Sequence, residues 1–198
     1  MVVFGITGGS GSGKTSVSKM LEKLGVHIID TDVIAHEIVE PNSDCLNELV
    51  DYFGDSILND DKTLNRKKLA SIAFSDKQKT EALSNITHKY IKAEVVKDIN
   101  TTDAELVGID GAVIIGSNVE PLCKFIVSVI ADKQSRIARI KTRDNITDEQ
   151  AIQRINAQND DEFYKENSMY IIYNNGDIAQ LESDVVGLFN KIKGNSFE

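Results

Sequence analysis

The chain has 198 residues, 41% of them hydrophobic, enough for one α/β core with a small subdomain. Its net charge of −9 argues against nucleic acid as a bulk partner. The two cysteines, Cys45 and Cys123, lie far apart without a CxxC or histidine companion, which argues against a disulfide framework or zinc site and fits a reducing cytoplasm. No apolar run reaches the roughly 18 residues of a membrane span, and a glycine loop beginning at residue 8 leaves no room for a leader peptide.

In chain order, Val2-Val3-Phe4-Gly5-Ile6 reads as a strand covered on both faces. Between Lys14 and Leu24, Val17, Met20, Leu21 and Leu24 recur at helical spacing, and Gly25 is a natural stop. A second apolar run, Val26 to Ile29, leads into Asp30-Thr31-Asp32, and Val33 to Val39 looks helical. From about Asp32 to Thr102 no convincing strand appears. Three helical segments are expected there, around Leu46 to Phe53, Leu69 to Phe74 and Leu83 to Ile91. Strand-like runs return at Leu106–Ile109, Phe125–Ile130 and Tyr170–Tyr173. Helices are predicted near Arg136 to Arg143, after the capping box Thr147–Gln150, and from Asp177 to Lys193, where Asp177 and Gln180 have capping-box spacing. Gly194 to Glu198 reads as a frayed tail. Alternating strands and helices predict a parallel sheet with helices on both faces.

Gly8-Gly9-Ser10-Gly11-Ser12-Gly13-Lys14-Thr15 fits G-x-x-x-x-G-K-[ST], between a predicted strand and a predicted helix. Glycines let successive N–H groups turn inward around a phosphate, and the helix N-terminus adds unsatisfied donors and a partial positive charge. Lys14 suits the β- and γ-phosphates, and the Thr15 hydroxyl suits Mg²⁺. A phosphate loop alone does not select a GTPase, an ATPase or a kinase. Asn190-Lys191-Ile192-Lys193 lacks the aspartate of a guanine-reading N-K-x-D, which counts against a GTPase. Asp30 and Asp32 follow a strand end, where ligands of parallel sheets bind. Either could take a proton from an acceptor hydroxyl, and either could instead cap the following helix. Of five arginines in the chain, Arg136, Arg139 and Arg143 share one helical face, with Arg154 on the next helix. They read as a phosphate clamp on a water-excluding lid or as a solvated basic face.

The chain resembles dephospho-CoA kinases, the enzymes of the last step of coenzyme A synthesis, over nearly its whole length. The resemblance is carried by "GITGGSGSGKTSVSKMLEKLG", "IIDTDVIAHEIVEPNS", "LNRKKLASIAF", "LSNITHKYI", "RIARIKTRDNITDEQAIQRINAQ" and "IIYNNGD". It implies an α/β P-loop nucleoside-triphosphate hydrolase fold with a five-stranded parallel sheet flanked by helices. The core would take about 1–31, 103–132 and 168–193, a helical acceptor-binding region about 32–102, and a helical lid about 133–167. It implies ATP and Mg²⁺, and transfer to the 3′-hydroxyl of dephospho-CoA by a cytoplasmic monomer. The catalytic set would be Asp32 as base, Lys14 and Arg143. ATP would be held by Gly8, Gly9, Ser10, Gly11, Ser12, Gly13, Lys14, Thr15, Ser16, Arg139, Arg143 and, near adenine, Asn175. Thr15 would hold the metal, and Thr7, Asp32, His88 and Asp110 would face the acceptor.

Two departures bear on the acceptor. Where the family reads Asp-Ala-Pro-Leu-Leu-Phe-Glu, this chain has Asp110-Gly111-Ala112-Val113-Ile114-Ile115-Gly116, with Glu120 a candidate replacement for the carboxylate. The family's His-Pro pair is His88-Lys89 here. A kinase of another small hydroxyl compound, or a nucleotide-binding regulator without turnover, are the alternatives.

Overall fold

The computed structural model describes residues 1–194. Five strands form one sheet: β1 (Val2–Thr7), β2 (His27–Asp30), β3 (Leu106–Asp110), β4 (Ile126–Ile130) and β5 (Tyr170–Tyr173). Their order is β2-β3-β1-β4-β5 and every pairing is parallel. Every residue of β3 and β4 is buried, as an apolar run between two layers of helices requires. Register places Ile6 and Asp30 on either side of Asp110, and Thr7 beside Ser128. The carboxyl ends of β1, β2 and β3 thus form one polar rim.

The chain divides into two compact units, residues 1–30 with 102–198 and residues 31–101. In the first, α1 (Lys14–Lys23) and α9 (Ile178–Gly194) pack with the strands around Phe4, Ile6, Val17, Leu21, Val127 and Val185. Phe4 stacks on Phe125 at 5.3 Å, and Phe125 meets the edge of Tyr170 at 5.3 Å. The Asp177 carboxylate accepts the Gln180 N–H (2.9 Å) at the start of α9. Gly194 is the last residue of that helix, and the rest of the expected tail, 195–198, lies outside the described residues.

Three short helices lie between β4 and β5: α6 (Lys133–Asp144), α7 (Asp148–Asn156) and α8 (Asp161–Glu166). Asn145 ends α6 in the left-handed conformation (φ 51°), and the Thr147–Gln150 capping box restarts the chain as α7. Ile140, Ala151 and Ile155 hold the pair together. The Asp144 carboxylate receives two hydrogen bonds from Arg143 (2.7 and 2.8 Å) and is paired with Arg154 as well. The Arg143 guanidinium holds the Asp144 carboxyl down to about 2.

The second unit is helical: α2 (Thr31–Glu37), α3 (Asp44–Phe53), α4 (Arg66–Ala73) and α5 (Lys77–Thr101). Ser43 and Asn65 cap α3 and α4 through the N–H groups of Leu46 (3.2 Å) and Lys68 (2.9 Å). Strand-like pairing in this unit is limited, among the described residues, to one antiparallel bridge between Leu58 and Leu64. Cys45 in this unit and Cys123 in the first are both free thiols, pushed up to about 11 and about 12 mainly by burial. No helix among the described residues is long and apolar enough to cross a membrane.

Ile109 is wholly buried in β3 between β1 and β2. Ile109→Ala is expected to lower the unfolding free energy by about 3 kcal/mol in urea titration. The Asp144 ion pairs are complete above the ordinary carboxyl value of 3.8 and disappear as pH falls through about 2. In carboxyl ¹³C NMR, Asp144 is expected to titrate near the lower value, and Arg143→Ala to move its midpoint up toward the higher one.

Candidate functional site

β1 releases the chain at Thr7 into the loop 8–13, and α1 begins at Lys14. Gly11 and Gly13 have φ of 77° and 96°, conformations that side-chain-bearing residues seldom adopt. The space is closed as well. A Cβ on Gly11 would come within 2.7 Å of the Arg136 carbonyl oxygen, and one on Gly13 would collide with the Asn174 amide nitrogen. The Ser12 N–H donates to the Gly9 carbonyl (3.0 Å), closing the loop on itself. Gly13 is the N-cap of α1 and supplies no side-chain acceptor, while its carbonyl takes the N–H groups of Ser16 (2.9 Å) and Val17 (3.2 Å). The amides that open the helix ahead of them, at Lys14 and Thr15, suit an anion, backed by the positive end of the helix. The hydroxyl of Ser12, 1% exposed, has no hydrogen-bond partner among the described residues. An orphaned buried hydroxyl costs about 1–3 kcal/mol, and such groups concentrate at functional sites.

Lys14 Nζ pairs with Asp110 Oδ1 at the end of β3, with the two side chains only 13% and 3% exposed. A lysine this shielded is held at the sheet edge by its carboxylate partner. Thr7, the last residue of β1, donates its hydroxyl to the carbonyl of Ala112 (3.3 Å), two residues beyond Asp110. Thr15 and Ser16 are exposed in the first turn of α1. The Thr15 hydroxyl is a hard oxygen donor at the mouth of the loop, so its chemistry fits a hard divalent ion arriving with phosphate oxygens.

The three arginines of α6 divide the work. Arg136 is buried, and its Nε donates to the Ser10 carbonyl (2.9 Å). Arg139 donates to the carbonyls of Gly11 (3.2 Å), Ser12 (3.3 Å) and Asn174 (2.9 Å). Arg143 is exposed and held by Asp144. Asn175 accepts the Asp132 N–H (2.8 Å) through Oδ1. Asp132 in turn caps α6 and is held below the usual carboxyl range by the Ser135 N–H.

Two residues that stand within the quoted motifs, but to which the sequence reading gave no role, belong to this cluster. Buried Asn174 donates Nδ2 to the Ser12 carbonyl (2.8 Å), and Gln158 accepts the Ser10 N–H (2.8 Å) through Oε1. Asn174 adjoins Asn175 in the same quoted motif, and the alternation of β5 turns it inward. Gln158 lies just beyond α7, where no periodicity marks it. A cleft of about 200 Å³ opens beside the loop, lined by Thr7, Ala112, Val113, Ile115, Gln158 and Phe163 among others. Glu120 is engaged locally, accepting the Gly116 N–H (2.6 Å).

Asp32 and His88 belong to the second unit. Asp32 is the second residue of α2, exposed in its first turn. His88 lines a cleft of about 300 Å³ on the helical unit together with Arg66, Leu69, Phe74, Leu83 and Ile91. Arg66 is hydrogen-bonded to the His36 ring (2.9 Å) at that unit's surface.

Known proteins resemble this chain in sequence and fold. A Thermus thermophilus crystal structure has the same fold, with TM-score 0.84 and 24% identity over 98% of both chains. Dephospho-CoA kinase from Campylobacter jejuni superposes with TM-score 0.69 at 27% identity, over 98% of each chain. Dephospho-CoA kinase of Lactobacillus johnsonii is 34% identical over 191 residues, covering 95% of this chain and 96% of that protein. The family model described as dephospho-CoA kinase matches residues 2–180. With its phosphate loop at the head of a five-stranded parallel sheet, the chain belongs to the dephospho-CoA kinase family.

Proposed function

We propose that this chain transfers the γ-phosphoryl group of ATP to the 3′-hydroxyl of dephospho-CoA, giving coenzyme A and ADP. The observation that carries the reading is Lys14, shielded beside Asp110 at the end of a glycine loop whose helix N-terminus has no side-chain cap. That arrangement suits an anionic tail, and the family match supplies the acceptor.

In this reading the phosphates lie against those loop and first-turn amides that the protein leaves open, the Gly11 N–H among them and not that of Ser10, and Lys14 offsets charge on the transferring group. Asp32 accepts the hydroxyl proton as the new O–P bond forms, and the β–γ bridging bond breaks to release ADP. Its likeness to the family's aspartate and its place just beyond β2 support that role. A Mg²⁺ bound with the nucleotide would be held by Thr15 and would neutralise phosphate charge. Arg139 strengthens the positive field behind the loop, and Arg143 leaves Asp144 to meet the phosphates. Asn175 borders adenine, while Thr7 and His88 contact the acceptor. Exclusion of water by the α6–α8 segment protects the phosphoryl group from hydrolysis. The same reading takes the protein as a cytoplasmic monomer.

The direct test is incubation with MgATP and dephospho-CoA, following ADP and CoA together. CoA formation in step with ADP supports the proposal. ADP released only with another hydroxyl compound, or ATP bound with no turnover, refutes it. Lys14→Ala is expected to lower turnover by about a thousandfold. Asp32→Asn should lower kcat by about a hundredfold or more, with ATP affinity by calorimetry within about twofold of wild type; wild-type turnover would remove it as the base.

A further inference from the structure

Ser10, at the tip of the phosphate loop, has both backbone polar groups held from outside the loop. Its N–H donates to Gln158 Oε1 (2.8 Å), and its carbonyl accepts Arg136 Nε (2.9 Å). The two side chains are joined to each other, with Arg136 Nη2 donating to the same Gln158 oxygen (3.1 Å). Arg136 is 5% exposed, and its nearest carboxylate, that of Asp161, stands off at 3.6 Å. A guanidinium is costly to bury, and this one directs its close bonds to a loop carbonyl and an amide oxygen. The fit is close enough that a Cβ on Gly9 would come within 2.8 Å of Arg136 Cζ.

The consequence follows from the planarity of the peptide bond. In a trans peptide the N–H and C=O point in opposite directions. Gln158 draws the Ser10 N–H one way, so the Gly9 carbonyl faces the other, where it accepts the Ser12 N–H (3.0 Å). Arg136 draws the Ser10 carbonyl toward α6, which turns the Gly11 N–H away from α6. Gly11 accommodates that orientation with φ of 77°.

We propose that Arg136 and Gln158 are a positioning pair that orients the Gly9–Ser10 and Ser10–Gly11 peptides of the phosphate loop. The pair thereby presents the Gly11 N–H, and withholds the Ser10 N–H, when ATP phosphates bind. The proposal rests on the phosphoryl-transfer reading above and deepens it. Arg136 lies on α6 and Gln158 between α7 and α8, so the segment above the loop also sets the loop's internal geometry.

Gln158 is partly exposed, so its variants are expected to fold. Gln158→Leu keeps the bulk and removes the acceptor. Gln158→Glu keeps an oxygen for both donors. MgATP affinity by calorimetry, the KM for each substrate, kcat and Tm would be measured for both variants and the wild type. Gln158→Leu should raise the Kd and KM for ATP roughly tenfold, leave the KM for dephospho-CoA within about twofold, and move Tm little. Gln158→Glu should restore ATP affinity to within about threefold of wild type. Arg136→Met should repeat the ATP-specific loss in whatever fraction folds. An ATP affinity unchanged in Gln158→Leu, a parallel rise in both KM values, or no recovery in Gln158→Glu overturns the pair while leaving the kinase reading intact. A wild-type protein that binds no MgATP overturns both.

Discussion

An exposed lysine samples many positions, but one fixed at a point has to be held. The pairing of Lys14 with Asp110 does this, joining the first residue of α1 to the last of β3 across the carboxyl edge of the sheet. The carboxylate holds the lysine in one orientation while most of its surface is out of water. The strand order matters because β3 lies directly beside β1, which brings the end of one strand next to the loop that leaves the other. A different order would carry Asp110 away from Lys14, and the loop would lose its reference point.

Around that pair, the loop backbone is satisfied by side chains rather than by secondary structure. The carbonyls of Ser10, Gly11 and Ser12 are taken by Arg136, Arg139 and Asn174. Carbonyls that would repel an anion are thereby occupied by side-chain donors. The positive charge of the arginines then acts through the loop as well as directly. This gives a physical reason for basic residues on a chain whose net charge is −9.

Much of this was legible in the sequence, and the parts that were not share a cause. The apolar runs at Val2 and Phe125 announced their strands because central parallel strands tolerate few polar side chains. The glycine loop announced itself because positive φ and the absence of room for a Cβ require glycine at Gly11 and Gly13. The shared spacing of Arg136, Arg139 and Arg143 placed them on one face, but could not say that Arg136 turns into the protein while Arg143 turns to Asp144. Gln158 and Asn174 were missed because their partners are backbone atoms more than a hundred residues away, and backbone leaves no trace in side-chain pattern. The short helix α8 was missed for a simpler reason: six residues carry less than two turns of periodicity. Its Asp160 cap, accepting the Phe163 N–H (2.9 Å), was the available signal.

The two thiols bear on the chemistry of the product. Coenzyme A ends in a thiol, and its oxidised forms are disulfides that exchange with any accessible thiolate. Burial pushes the thiols of Cys45 and Cys123 up to about 11 and about 12, which lowers the thiolate fraction of each at neutral pH. Both are therefore expected to exchange more slowly with a disulfide of the product than an open surface thiol would.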